Sequence, residues 1–379
     1  MKKIRVIVNA TPLMNVRTGI GRYIESLYSV MERQYSDLFE FSYFNGVNLS
    51  PSLPSRAKDA DRASWMASFF WKLPSSLSYL IRLVLLCIRD LRMLRYSGKF
   101  DVYHETALFP FRVSENVATL STVHDLSLDK CPQFHPAERV MYFRKFFYDR
   151  IRKSDAFLAV SDFTRRELLS VSDVRAEQVL VTPLACDKRI FHAQKQEKIE
   201  AVMKELGIVG EYFLFVGTND PRKNTALLAQ AVQSGSITTQ VVIAGWSGWG
   251  GDIPDGILNV GYVSDDTLAC LYSGATALIF PSFYEGFGLP VLEAMTCGCP
   301  VILTREASLP EVAGDAGCYL STPDALDELI SWMQRFETDA KFRQEMSDAA
   351  LEQSRLFSWE ETARLTKEAL LAVHEAKNR

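Results

Sequence analysis

The stretch that most constrains this chain is an apolar run, residues 275–280, which breaks on glycines and restarts as a helix. Only Thr276 interrupts its apolar character. Pro290 stands where a first helical turn would begin, and Gly298 where that helix would stop. A buried strand passing through a glycine turn into a helix is the building unit of parallel α/β sheets. The unit recurs along the sequence. Residues 4–8, 155–160 and 179–182 read as strands, with helical segments at 20–32 and 137–153 between them. A second series opens at 212–216 and continues through 241–244, 275–280 and 301–303. Ser161 is placed to cap the helix that follows it. No short internal repeat is visible.

At 379 residues the chain exceeds one ordinary core, so two domains of about 150 to 190 residues are expected. Apolar periodicity lapses at 183–200, which reads as the interdomain linker. The expected domains are 1–184 and 185–356, with a closing helix at 357–379 that returns to the first. The net charge of −4 conceals an asymmetry. Residues 1–184 hold 26 Lys/Arg against 19 Asp/Glu, or +7, and residues 185–379 hold 16 against 27, or −11. The basic half suits an anionic surface or a phosphate-bearing acceptor. Seven cysteines without a Cys-x-x-Cys pair read as reduced thiols of a cytoplasmic protein. Met-Lys-Lys runs straight into the first strand, which reads as the absence of a secretory leader.

The turn after residue 280 carries the most chemistry. Turn amides and a helix N-terminus make a ready anion site, with roughly half a positive charge from the helix dipole. Glu285 belongs to the turn and Glu293, eight positions on, to the helix's expected first turn. Carboxylates beside an anion site suit hydroxyl recognition, as in sugars and riboses. The bland alternative is a routine strand–turn–helix with two surface glutamates. The full pattern Pro281-Ser282-x-x-Glu285-Gly286-Phe287-Gly288-Leu289-Pro290-x-x-Glu293-Ala294-Met295 is far more specific. It resembles the glutamate-seven-residue-glutamate motif of the retaining glycosyltransferases of family 4. That resemblance implies the GT-B fold: two Rossmann-like doubly wound parallel-sheet α/β domains facing a central cleft.

Further motifs agree with it. Gly217 is followed by Arg222, Lys223 and Asn224, similar to the family's Gly-x-x-x-x-Arg-Lys-Asn segment, whose basic pair holds the donor diphosphate. Fixed cations there stabilise a leaving nucleoside diphosphate without a metal; a solvated helix start is the bland reading. Gly19-Ile20-Gly21-Arg22 looks like the family's first glycine loop, facing donor phosphates and acceptor. A dinucleotide fold would need a third glycine where Ile24 stands, which discounts an NAD-linked oxidoreductase. His124 matches the family histidine beside the donor sugar. Asp125 reads equally as a helix cap. Val263, in Gly261-Tyr262-Val263-Ser264-Asp265, falls in the segment that lines the family's nucleobase pocket; Ser264 alone reads as a cap. The Gly245–Gly251 run alternates glycine with Trp246 and Trp249, and no role is read from it.

Residues 77–95 combine an apolar run with Arg82, Arg89, Arg92 and Arg95, clustered within roughly 140° of a helical wheel. The uninterrupted apolar run, 83–88, is far below the ~20 residues needed to span a bilayer. With Trp65, Phe69, Phe70 and Trp71 upstream, this suits either peripheral attachment to an anionic membrane or a core helix with a solvated arginine face.

The resemblance covers most of the chain, most specifically 212–312. It implies a retaining hexosyltransferase that uses a nucleoside diphosphate sugar, with no metal and no other cofactor. Arg222 and Lys223 would hold the diphosphate with the Gly286, Phe287 and Gly288 amides. Glu285 would bind sugar hydroxyls, Glu293 the ribose, and His124 the sugar. Gly19, Gly21, Gly217, Val263 and Leu289 complete the donor-binding set. The pattern looks most like bacterial O-antigen and exopolysaccharide mannosyltransferases. GDP-mannose is therefore the expected donor and a polyprenyl-diphosphate-linked or oligosaccharide acceptor the expected partner, with no nucleic acid involved. The expected location is cytoplasmic, with peripheral attachment to the inner membrane. A UDP-hexose donor and a catalytically inactive nucleotide-sugar-binding subunit are the rival readings.

Overall fold

The computed structural model describes residues 2–14, 19–54, 75–246 and 255–379. The chain divides into two compact units, Met1–Leu184 with Trp359–Arg379, and Ala185–Ser358.

The first unit contains strands β1 (Ile4–Asn9), β2 (Phe39–Phe44), β3 (Leu49–Ser50), β4 (Val102–Glu105), β5 (Ala118–Val123), β6 (Ala156–Ala159) and β7 (Val179–Val181). Its helices are α1 (Gly19–Tyr35), α2 (Ser75–Ser97), α3 (Ser127–Lys130), α4 (Ala137–Ile151), α5 (Asp162–Val171) and the last in the chain, α13 (Trp359–Lys377). The sheet order is β3-β2-β1-β4-β5-β6-β7, parallel throughout except for the β2–β3 pair. Helices cover both faces, so β5 is buried at all six positions and its Ser121 and Thr122 hydroxyls must find partners. They do: the Ser121 and Ser154 hydroxyls lie 2.7 Å apart, and the Thr122 and Tyr23 hydroxyls 2.9 Å apart. Ser161 caps α5 by accepting from the Thr164 amide at 3.0 Å. α13 packs on α1. The Thr362 hydroxyl donates to the Pro183 carbonyl at 2.6 Å, and the Trp359 and Tyr23 rings lie 6.2 Å apart.

Helix α2 differs from the sequence reading in which residues face solvent. Leu86, Asp90 and Met93 face inward, and a bidentate ion pair between Asp90 and Arg150 of α4, at 2.6 and 2.9 Å, ties the two helices together. Arg82 and Arg89 turn toward the unit and are half-buried; Arg89 lies against Gly46, and burial lowers its pKa. The outward face is mainly apolar, with Leu91 69%, Leu80 55% and Val84 50% exposed, and it also carries the exposed Arg95. Of the four arginines of the expected solvated face, only Arg95 is exposed while Arg82, Arg89 and Arg92 are half-buried, so leucines and a valine rather than a row of arginines make up most of the exposed surface of α2. Among the described residues no helix is long and apolar enough to cross a membrane. Trp65, Phe69, Phe70 and Trp71 lie outside the described residues.

The second unit contains α6 (Gln196–Leu206), β8 (Tyr212–Val216), α7 (Thr225–Gln233), β9 (Gln240–Ala244), β10 (Ile257–Gly261), α8 (Asp265–Gly274) and β11 (Ala277–Phe280). It continues with α9 (Leu289–Thr296), β12 (Val301–Thr304), α10 (Leu309–Ala313), β13 (Gly317–Leu320), α11 (Leu326–Thr338) and α12 (Ala340–Ser354). All six strands are parallel, in the order β10-β9-β8-β11-β12-β13. The strand progression reverses between β8 and β11, which is where a doubly wound sheet opens its ligand crevice beyond the carboxyl ends.

Candidate active site

The loops after β8 and β11 meet at that reversal. Gly217 leaves β8, and Asp220 opens a single 3-10 turn, Pro221–Lys223, by accepting from the Arg222 amide at 3.0 Å. Asn224 then takes a left-handed conformation (φ 57°), so the basic pair precedes α7 rather than lying within it. The turn is tied to the β11 loop by backbone as well as side chain. The Phe283 amide donates to the Arg222 carbonyl at 2.9 Å, and Arg222 Nη1 donates to the Tyr284 carbonyl at 3.0 Å. Lys223 forms an ion pair with Glu285, and its ammonium lies 4.7 Å from the centre of the Phe280 ring. Lys223 and Glu285 are nearly buried, at 12% and 9% side-chain exposure, so this pair is only slightly screened by solvent. The Glu285 carbonyl accepts from the Ser308 hydroxyl at 2.9 Å, fixing the backbone independently of the charge.

Gly288 enters α9 with φ +100°, and a Cβ there would come within 2.8 Å of Leu309. Only glycine turns the chain so tightly at this place. Gly286 and Phe287 are buried in the same loop, and the Phe287 ring meets Phe357 edge-on at 5.7 Å. Leu289 is half-buried at the first position of α9. Gly298, in the left-handed region at φ 78°, ends the helix. Glu293 is not in the first turn of α9, as expected from sequence, but in the second. The helix starts at Leu289, which moves the carboxylate one turn inward. It is 2% exposed and accepts from the Tyr272 hydroxyl of α8 at 3.2 Å.

The β9 loop supplies a feature missed in the sequence. A Cβ on Gly245 would lie 2.0 Å from the Gly217 carbonyl oxygen. The two loops run backbone against backbone, with the Gly217 amide donating to the Ala244 carbonyl at 3.0 Å and the Asn219 amide to the Trp246 carbonyl at 2.9 Å. Glycine 245 is thus a spacing requirement of the site floor. Trp249 lies outside the described residues. Val263 follows the edge strand β10 and is half-buried; Ser264 caps α8, accepting from the Thr267 amide at 3.1 Å.

Gly19, Gly21 and His124 belong to the first unit. Gly19 begins α1, and Gly21 is buried in its first turn. His124, directly after β5, donates from Nε2 to the Thr106 carbonyl at 2.9 Å if that nitrogen carries the proton, the tautomer a carbonyl partner requires. Burial lowers its pKa, with the Thr106 contact and Asp125 opposing, so the ring is neutral at pH 7. Its ring packs edge-on against Tyr23 at 5.0 Å. Asp125 closes a local turn, accepting from the Ser127 amide and hydroxyl at 2.9 and 2.7 Å.

In the second unit, the Arg222 and Lys223 cations, paired with the Asp220 and Glu285 carboxylates, therefore lie in the loops at the crevice of a doubly wound sheet that lead into α9, an arrangement suited to an anion that also carries hydroxyls. Residues 199–353 match "Glycosyl transferases group 1", and residues 18–189 match "Glycosyltransferase Family 4". O-antigen chain mannosyltransferase B of Escherichia coli is 32% identical over 380 residues, covering 94% of this chain and 96% of that one. The chain belongs to the group 1, family 4 glycosyltransferases. The GT-B fold of this glycosyltransferase is also seen in solved structures. Sucrose-phosphate synthase of Thermosynechococcus elongatus superposes with a TM-score of 0.72 at 17% identity, covering 99% of this chain and 100% of that one. Anabaena HepE in complex with UDP-glucose gives 0.70 at 13% identity, covering 97% and 100%.

Proposed function

We propose that this glycosyltransferase is a retaining, metal-independent mannosyltransferase that moves mannose from GDP-mannose onto a lipid-linked or oligosaccharide acceptor in surface-polysaccharide synthesis. The carrying observation is the near-full-length likeness to an O-antigen chain mannosyltransferase, in a chain whose Arg222–Lys223–Glu285 cluster is intact. That cluster also speaks against an inactive binding subunit.

In this reading Arg222 and Lys223 take the diphosphate, with the N-terminus of α9 beneath it. Charge on the leaving nucleoside diphosphate grows as the glycosidic bond breaks, and cations already fixed to the loop need no reorganisation to meet it. Lys223 has three donors and can serve Glu285 and a phosphate oxygen together. Glu285 accepts from the sugar hydroxyls. Glu293, held by Tyr272, accepts from the ribose. His124, neutral, is read as a sugar contact. Retention follows from front-face substitution, in which the departing phosphate takes the acceptor proton. The acceptor reading includes peripheral docking on an anionic bilayer, for which the outward leucines of α2 and the +7 charge of residues 1–184 are the support.

Calorimetric titration with GDP, UDP, GDP-mannose, UDP-glucose and UDP-N-acetylglucosamine, each in EDTA, tests the donor. Preference for GDP and GDP-mannose is expected. Preference for a uridine donor, the kind HepE holds, would keep the diphosphate site and replace the sugar. Absence of binding to all five would restore the inactive-subunit reading.

A further inference from the structure

The strand progression of the first unit reverses between β1 and β4, and a carboxylate is buried at that reversal. β1 ends on Asn9 and β4 on Glu105, each 1% exposed. Asn9 Nδ2 donates to both Glu105 oxygens, at 2.8 and 2.9 Å, and the Ala107 amide donates to Oε1 at 2.8 Å. The Tyr103 hydroxyl donates to Oε2. Asn9 Oδ1 accepts from the Thr11 amide and hydroxyl at 3.1 and 2.7 Å. The Thr106 hydroxyl donates to the Asn9 carbonyl, and the Thr106 carbonyl is the group that receives His124. One hydrogen-bonded path therefore runs from the Glu105 carboxylate, through the turn it grips, to the imidazole.

Joining two central strands does not require a charge. A buried carboxylate costs several kcal/mol that apolar neighbours of the same volume would avoid. That cost is visible here, since burial pushes Glu105 up to about 7 against the donors that hold it down. Its return is geometric. With every side-chain donor and acceptor of the pair matched, the 105–107 turn has one arrangement and the Thr106 carbonyl one direction.

We propose that Asn9 and Glu105 are a positioning pair that fixes the Thr106 carbonyl and, through it, the orientation and tautomer of the His124 ring. This rests on the reading of His124 as a sugar contact. Glu105→Gln sets an amide NH2 against that of Asn9, and Asn9→Asp sets two carboxylates together. Either single variant is expected to cut kcat about 100-fold, as a displaced catalytic contact does, with donor KM unchanged. The His124 imidazole 15N resonances should shift in both. The double variant, Asn9→Asp with Glu105→Gln, restores the match with the donor and acceptor exchanged. With the new amide's oxygen keeping the Ala107 N–H and its NH2 meeting the Tyr103 hydroxyl as an acceptor, it should recover wild-type His124 resonances and most of the activity.

Wild-type His124 resonances in either folded single variant would overturn the proposal, whatever the activity. So would a double variant that fails to fold, or that folds with shifted resonances. Full activity of His124→Ala would overturn the role of His124 itself, while the resonances would still report whether Glu105 positions the ring.

Discussion

Glu285 is held at both ends by different means. Its carboxylate takes the Lys223 ammonium and its carbonyl takes the Ser308 hydroxyl. Glu285→Gln changes only the first, so the loop stays in place and Lys223 keeps its charge for a diphosphate. Turnover is expected to fall by about 100-fold or more while nucleotide affinity survives, because in the proposed role the lost interaction is with the reacting sugar. Steady-state kinetics beside calorimetry checks this, and undiminished turnover would remove Glu285 from the sugar. Residues of this kind are legible because glycines, a proline and a carboxylate fall within one short stretch of sequence. Tyr272, which holds Glu293, and Gly245, which lets two loops touch, are not. Their partners come from separate strands and helices, and only the sheet order brings them close. Asn9 and Glu105, 96 residues apart, are hidden for the same reason.

Elements were legible where one face had to be apolar. Strands β8 and β11 are read correctly from their apolar runs, since a parallel sheet covered on both faces buries every position. Helix α2 shows where periodicity stops informing. An amphipathic pattern gives the separation of two faces but not which one meets the protein, and long arginine stems can fill an interior gap while their heads find polar partners. The structure places leucines outward, so the proposed docking on a bilayer rests on apolar insertion more than on arginine charge. Replacing Leu80, Val84 and Leu91 by serine leaves the inward face of Leu86, Asp90 and Met93 untouched. Half-insertion of three such side chains is worth about 3 kcal/mol, or about 100-fold in partitioning. Co-sedimentation with anionic vesicles should fall by that order, with circular dichroism unchanged. Equal binding by wild type and variant would discard α2 as the docking element.

At the scale of the whole chain, the two units are not consecutive segments. The first is completed by α13, which follows the entire second unit in sequence. α13 buries Trp359, Ala363, Leu370 and Val373 against the first unit, and its Arg33–Glu360 and Lys377–Asp155 pairs lie on that unit's surface. The exposed ion pairs contribute little. Burial of Trp359, Leu370 and Val373 alone is worth about 6 kcal/mol, a large part of the roughly 5–15 kcal/mol that holds a domain folded. Truncation after Ser358 should therefore unfold the first unit and spare the second, whose sheet, basic turn and α9 all lie within Ala185–Ser358. Limited proteolysis should then cut within residues 1–184 while protecting 185–358. Calorimetry should still register the nucleoside diphosphate, and transfer should be lost because His124 goes with the first unit. Loss of nucleotide binding together with the first unit would mean that the donor site is not contained in the second. A truncated chain that kept both units folded would mean that α13 contributes far less than its buried side chains imply.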